Sequence, residues 1–156
     1  MQKLMDLDSP LGRLILIDKA GALATVAFAG GRLPSGPYQK QETPLLLEAA
    51  RQLAEYFSGK RRNFDLPLAP EGTEFQQDCW QALCAIPYGK TCSYGEIAAQ
   101  IGRPKAVRAV GQANNRNPIA VIIPCHRVIG ANGKLTGYGG GLDNKELLLE
   151  LEQQNY

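Results

Sequence analysis

Nowhere in the 156 residues is there an apolar run approaching the roughly 20 that a membrane-spanning helix needs. Met1 to Asp8 holds no basic segment followed by an apolar one, so no secretory signal is read there either. A cytoplasmic protein is therefore expected. Cysteine is sparse: Cys79, Cys84, Cys92 and Cys125 are the four, none in Cys-x-x-Cys spacing, which points to reduced thiols rather than a disulfide framework. Residues 1–70 contain neither cysteine nor histidine, which excludes a zinc site built from those ligands in that part of the chain. Histidine occurs once, as His126.

What is present is an ordinary apolar share, 44%, on a chain long enough for one comfortable domain or two small ones. The net charge of +2 says little, but its distribution says more. From Lys90 to Lys134 there are seven basic residues, Lys90, Arg103, Lys105, Arg108, Arg116, Arg127 and Lys134, against the single acid Glu96. Charge alone leaves two readings open, a patch that meets phosphates or a merely solvated basic face.

The first part reads as a small α/β unit. Leu14 to Ile17 and Leu23 to Phe28 are rich in apolar and β-branched residues, with turn-like Lys19-Ala20-Gly21 between them, so adjacent strands are expected. A loop with Gly30, Gly31, Pro34, Gly36 and Pro37 follows. Thr43-Pro44 then opens a helix, Thr as N-cap and Pro at the first helical position, with Leu46, Ala50, Leu53 and Phe57 on its apolar face and Gly59 as its stop. Phe64 to Leu68 is expected to return as a strand. Pro67, Pro70 and Gly72 mark a linker, which divides the chain into 1–70 and 71–156.

The second part starts with three helices. Thr73-Glu74-Phe75-Gln76 is a capping-box sequence, followed at helical spacing by Phe75, Cys79, Leu83 and Ile86 until Pro87. Cys79 and Cys84 do not share a helical face, which favours packing thiols over a metal pair. Ser93-Tyr94-Gly95-Glu96 opens a second helix that buries Ile97 and Ile101 and stops at Gly102. A third is expected over Lys105 to Ala113, begun near Pro104. Helix, short Gly-containing turn, helix is the helix-turn-helix arrangement, although such pairs also occur as structural corners. Steps of about 100° put Ala106, Val107, Val110 and Ala113 on an inward arc and Lys105, Arg108, Ala109 and Gln112 on an outward one that could face DNA. Ile119 to Ile123 is a continuous apolar run suited to a buried strand. Asp143 with Glu146 is expected to cap a last helix over Asp143 to Glu152, with Leu142 and Leu147 as a hydrophobic staple.

Cys125 ends the apolar run and precedes the one histidine. A free cysteine is only a few per cent thiolate near neutrality, so a nucleophilic one needs a nearby base or positive charge, for which His126 and Arg127 are candidates. Neighbours on an extended backbone point to opposite faces, so sequence adjacency does not by itself bring His126 to the thiol.

Ile123-Pro124-Cys125-His126-Arg127-Val128 resembles the acceptor motif of the O6-alkylguanine-DNA alkyltransferases. The likeness runs from Thr73 to Glu152 through Ile86-Pro87-Tyr88-Gly89, Ser93-Tyr94-Gly95, Arg108-Ala109-Val110-Gly111, Asn117-Pro118 and Gly137-Tyr138. It implies an α+β fold, with a small N-terminal ribonuclease-H-like α/β domain and a C-terminal winged-helix-like, helix-turn-helix DNA-binding domain. It implies a protein without cofactor that takes the alkyl group of O6-alkylguanine, and of O4-alkylthymine, from double-stranded DNA onto Cys125 in a single turnover. It also implies a protein that flips the damaged nucleotide, as a monomer or cooperatively with further copies on DNA.

By the same resemblance His126, through a water, and Glu152 draw off the Cys125 proton, and Asn117 braces the active-site turn. Tyr94 assists rotation of the nucleotide and donates near the damaged base, while Val128, Tyr138 and Gly139 border that base. Arg108 fills the vacated stack, and Lys105, Ala109 and Gln112 share its DNA-facing arc. Gly139 stands where several relatives carry serine, which keeps the backbone N–H but removes a hydroxyl. Two rival functions differ in kind. A transcription regulator would leave Pro124-Cys125-His126-Arg127 unexplained, and a Cys-His hydrolase would ordinarily draw its histidine from a distant segment.

Overall fold

The computed structural model describes residues 1–135 and 137–156. The chain divides into two compact units, Met1–Glu71 with Pro118–Ala120, and Gly72–Asn117 with Val121–Tyr156.

The first unit is built on a sheet of order β3-β2-β1-β4, where β1 is Gln2–Ser9, β2 Gly12–Lys19, β3 Ala22–Phe28 and β4 Tyr38–Lys40. β1, β2 and β3 form an antiparallel meander, with Leu7 opposite Leu14 and Leu16 opposite Val26, and β4 adds in parallel to β1. The hairpin of β2 and β3 was legible from its apolar, β-branched runs. β1 and β4 were not: every residue of β1 but one is half-buried, so it lacks a clean alternation, and β4 spans three residues.

Helix α1, Pro44–Phe57, starts as the sequence indicates, with the Thr43 hydroxyl accepting from Leu46 N and proline in the first turn. It buries Leu46, Ala49, Gln52, Leu53 and Tyr56, so its core face is rotated from the expected one and Ala50 and Phe57 lie at the margin. Buried Gln52 exchanges two hydrogen bonds with the backbone of Asp65, at 3.0 and 2.9 Å. This fixes the segment expected as a strand over Phe64 to Leu68. Instead of a strand there is one parallel bridge, Leu68 to Leu23. Pro67 has no N–H to extend a ladder.

Ile119 to Ile123 is not a strand either. Ile119 makes a single parallel bridge to Val26, closed by Val26 N to Pro118 O and Ala120 N to Val26 O, both 2.9 Å. Val121 then takes a φ of 70°, a left-handed conformation that a β-branched residue adopts only under constraint and that ends extended pairing. The apolar run is buried in a turn rather than a ladder.

In the second unit α2, Glu74–Cys84, and α3, Tyr94–Gln100, each begin with the complete capping box expected of them, Thr73 with Gln76 and Ser93 with Glu96. α3 closes on Gly102, whose φ of 78° allows Gly102 N to reach Ala99 O and Arg103 N to reach Ala98 O. α4, Val107–Asn115, starts two residues after the expected position because residues 104 and 105 form a turn. α2 packs on α4 through the Trp80 indole N–H, which donates to Ala113 O at 2.9 Å. Val110, Ala113 and Asn114 face inward, whereas Val107, expected inward, is 41% exposed. β5, Cys92–Ser93, pairs in parallel with β6, Val128–Ile129. The last helix, α5, is Leu142–Gln154. Gly141 is its N-cap with no side-chain cap bond, so the Asp143–Glu146 box does not form, and Leu142, offered as half of a staple, is exposed.

Candidate active site

The turn that follows Val121 determines the site. Cys125 N bonds to Ile123 O at 2.8 Å and Arg127 N to Pro124 O at 3.0 Å, which winds Cys125–Arg127 into a single 3₁₀ turn. All three side chains are buried. The backbone here is thus not extended, and the objection that adjacent side chains diverge does not apply to Cys125 and His126.

Two asparagines hold this turn. Asn117 donates from Nδ2 to Ile123 O at 2.8 Å, and its side chain also hydrogen-bonds the Cys125 thiol. Asn114, which nothing in the sequence singles out, is buried in the last turn of α4 and donates to Cys125 O at 3.3 Å.

Glu152 is 1% exposed on α5 and is no solvated acid. One oxygen of its carboxylate, Oε2, lies 2.7 Å from His126 Nε2, and Arg127 spans both oxygens, Nε to Oε1 and an Nη to Oε2, each at 2.9 Å. Gly89 N donates to Oε1 at 3.0 Å. Arg127 reaches on to Ile86 O at 2.8 Å and lies over the Tyr88 ring. Its guanidinium therefore serves the carboxylate rather than the thiol, the role sequence adjacency had suggested. Because the carboxylate is an acceptor held by fixed donors, His126 Nε2 is assigned the proton. Nδ1 is then an acceptor, buried and without a hydrogen bond among the described residues.

Burial pushes the Cys125 thiol up, and it is drawn back by the hydrogen bond from Asn117, then by the charge of Lys145 and by the nearby Tyr138 hydroxyl. Burial likewise lowers His126, against the pull of Glu152, so the imidazole is neutral at neutral pH and able to accept a proton. Tyr138 is raised well above the usual phenol range, by burial first and then by Cys125, and so remains a donor. Cys79, Cys84 and Cys92 are also raised by burial, and among the described residues no hydrogen bond to the thiol offsets this for them.

Lys145 was missed. It is 0% exposed on α5, and its Nζ donates to Val128 O at 2.6 Å. A lysine amid Asp143, Glu146 and Glu150 reads in sequence as part of a solvated face; the signal would have been its place three residues ahead of buried Leu148.

The structure thus gathers Cys125, His126, Glu152, Asn117, Val128 and Tyr138 around one turn. Tyr94 and Gly139 gather around α4. A Cβ on Gly111 would lie 3.8 Å from Tyr94 Cδ1, and one on Gly139 would lie 3.7 Å from Asn115 O. Arg108, Ala109 and Gln112 are exposed on α4, and Lys105 is exposed just before it. Chemically, the arrangement is a buried thiol with donors for its anion, and a neutral imidazole backed by a fixed carboxylate.

Residues 74–154 match the family described as 6-O-methylguanine DNA methyltransferase, DNA binding domain, and residues 5–70 match its ribonuclease-like domain. The chain is 55% identical over 153 residues, 96% of either chain, to the methylated-DNA–protein-cysteine methyltransferase of Methanosarcina barkeri. It is 53% identical over 148 residues to that of Mycobacterium leprae, covering 94% of this chain and 90% of the relative. Among solved structures it resembles the Mycobacterium tuberculosis protein OGT in complex with DNA, with a TM-score of 0.90 and 48% identity over 99% of this chain and 93% of that one.

Proposed function

We propose, for a chain that belongs to the 6-O-methylguanine DNA methyltransferase family, that Cys125 is the residue onto which the alkyl group of damaged DNA is moved. The protein binds DNA and repairs it by direct reversal, as a methylated-DNA–protein-cysteine methyltransferase. The geometry of the site supports an assignment of the residues that do this. The observation that carries the assignment is that Glu152, 26 residues away in sequence, meets His126 at 2.7 Å directly beside the buried cysteine whose thiol Asn117 hydrogen-bonds.

The electrophile is the sp³ carbon bonded to guanine O6. The Cys125 thiol gives its proton, relayed by a water, to His126 Nδ1, and Glu152 stabilises the imidazolium through Nε2–H. The thiolate attacks in line, the S–C bond forms as the C–O6 bond breaks, and the electron pair leaves on O6, where the Tyr94 hydroxyl donates a hydrogen bond until the base takes a proton from water and His126 gives its own back to water. O4-alkylthymine presents the same kind of carbon. The product at Cys125 is a thioether, which has no acyl centre for water to attack, so each molecule reacts once. Asn117 holds the thiol in place, and Val128, Tyr138 and Gly139 border the base.

Within a duplex that carbon is out of reach, so the nucleotide is extruded at a cost of a few kcal/mol, less for a poorly paired base. Arg108 enters the gap, and Lys105, Ala109 and Gln112 line the same DNA-facing surface with it. The side chains assigned to transfer and DNA contact fall within 71–156, and the protein works as a monomer. Four free cysteines support a reducing, cytoplasmic setting.

The test is intact and peptide mass after incubation with duplex DNA containing O6-methylguanine. One methyl in place of one hydrogen, on Cys125, is expected, and Cys125→Ser should take none while still binding DNA. Methyl on Cys79, Cys84 or Cys92, or several turnovers per molecule, would sink the assignment.

A further inference from the structure

Glu152 sits in the last turn of α5, where the helix has begun to run out of backbone partners and where side chains are ordinarily free to fray. A carboxylate that must orient an imidazole cannot be left loose there. His126 and Arg127 fix it from the side of the 3₁₀ turn, and a separate set of contacts fixes it from the loop between α2 and β5.

That loop turns at Gly89, with a φ of 78° and Lys90 N bonded to Pro87 O at 3.1 Å. Its two peptide groups at Gly89 are both used by α5. Gly89 N donates to Glu152 Oε1 at 3.0 Å, and the next residue of the helix, Gln153, donates from Nε2 to Gly89 O at 2.7 Å. Tyr156 closes over the same glycine: a Cβ on Gly89 would run into the Tyr156 ring, and Lys90 Nζ stands 4.7 Å above that ring. The loop also supplies Ile86 O and the Tyr88 ring to Arg127.

We infer that Gly89, clamped by Gln153 and Tyr156, is a positioning residue of the alkyl-transfer reaction: its N–H sets the Glu152 carboxylate so that the carboxylate sets His126. This rests on the relay described under the proposed function. Glycine is required twice over at this position, by the left-handed backbone and by the ring of Tyr156. Gln153 and Tyr156 touch none of the reacting atoms. They act by keeping a backbone donor aimed at an acid that would otherwise hold the imidazole through fewer contacts.

The consequence is specific to proton removal. Loosening the clamp weakens the base, so that less thiolate is present near neutrality, while at alkaline pH the thiol ionises without help and the loss closes. The experiment is single-turnover methyl transfer from an O6-methylguanine duplex by the full chain, followed across pH. It is paired with iodoacetamide modification of Cys125 read by peptide mass, which reports the thiolate without DNA. Gln153→Ala and Tyr156→Ala change exposed side chains and should fold. Each should move the midpoint of both profiles upward by about half a unit, a loss of about threefold at neutral pH. Gly89→Ala should lose more, and should regain part of the loss when combined with Tyr156→Ala. Profiles whose midpoints stay at the wild-type position, or rates reduced by one factor at every pH, would overturn the inference. If wild-type protein itself places no methyl on Cys125, the relay reading fails; if it does and the variants match it, only the clamp fails.

Discussion

The Nζ of Lys145 lies 2.6 Å from the carbonyl oxygen of Val128, three residues past Cys125, with none of the side chain exposed. An ammonium withdrawn from water is costly unless something repays it, and here burial lowers its affinity for a proton while the Cys125 charge raises it. Its charge in turn favours the Cys125 thiolate.

Replacing Lys145 by Met should therefore slow transfer more than it harms folding. The Val128 carbonyl left without its donor costs about 1–3 kcal/mol, and removal of a buried charge offsets much of this. Transfer near neutral pH should fall about tenfold, with the pH midpoint for Cys125 ionisation moved up by about one unit. A rate loss tracking thermal destabilisation, with the midpoint unmoved, would show that Lys145 only packs.

Arg127 poses the opposite balance. Its guanidinium spans both oxygens of Glu152, whose side chain is 1% exposed, so Arg127→Met strands a buried carboxylate. Removing one partner of such a pair costs about 3–5 kcal/mol, which should appear as a lowered urea midpoint with the slope unchanged. Arg127→Lys should recover only part of it, because an ammonium cannot span both oxygens. A loss under about 1 kcal/mol would mean that the carboxylate finds water or another donor.

These side chains mark where the sequence stopped being informative. Caps at Thr73 and Ser93 were legible because their hydrogen bonds close within four residues. The Pro124-Cys125-His126-Arg127 segment was legible as a pattern, but the turn that gathers its side chains was not. That turn follows Val121, which is left-handed inside an apolar run that reads as a strand, and near it lies a buried lysine from a polar helix that reads as solvated. Both are consequences of tertiary packing. Asn114 escaped for the same reason, being a loop residue by composition and a buried donor to Cys125 O in the structure.

His126 gives stability a pH dependence whose sign follows from its burial. Its folded pKa lies below the ordinary 6.5, so between the two values the unfolded chain binds the extra proton. The contribution is full above about 6.5 and is lost as pH falls through the folded value. Wild-type unfolding free energy should decline on acidification before the carboxylate range is reached. His126→Phe should flatten that segment of the curve while abolishing efficient transfer. A wild-type curve flat between neutrality and about pH 5 would contradict a buried neutral imidazole.

Arg108 is exposed on α4, on the outward side set opposite Val110 and Ala113. Two roles are available to such a residue, and they differ in what they predict. If it fills the stack vacated by the damaged nucleotide, its work is to hold the extruded state. Arg108→Ala should then slow repair of duplex DNA strongly, yet hardly affect reaction with free O6-methylguanine base, where nothing has to be flipped. If instead it only neutralises a phosphate, the variant should bind every duplex more weakly, with the salt slope reduced by about one, and should react at the wild-type rate once saturated. The deciding comparison is single-turnover rate at saturating protein on the two substrates side by side. A duplex-specific loss supports insertion, no loss at saturation supports the phosphate contact, and equal losses on both substrates would refute insertion and point to a distorted pocket around Tyr94, whose ring lies against Gly111 on the same helix.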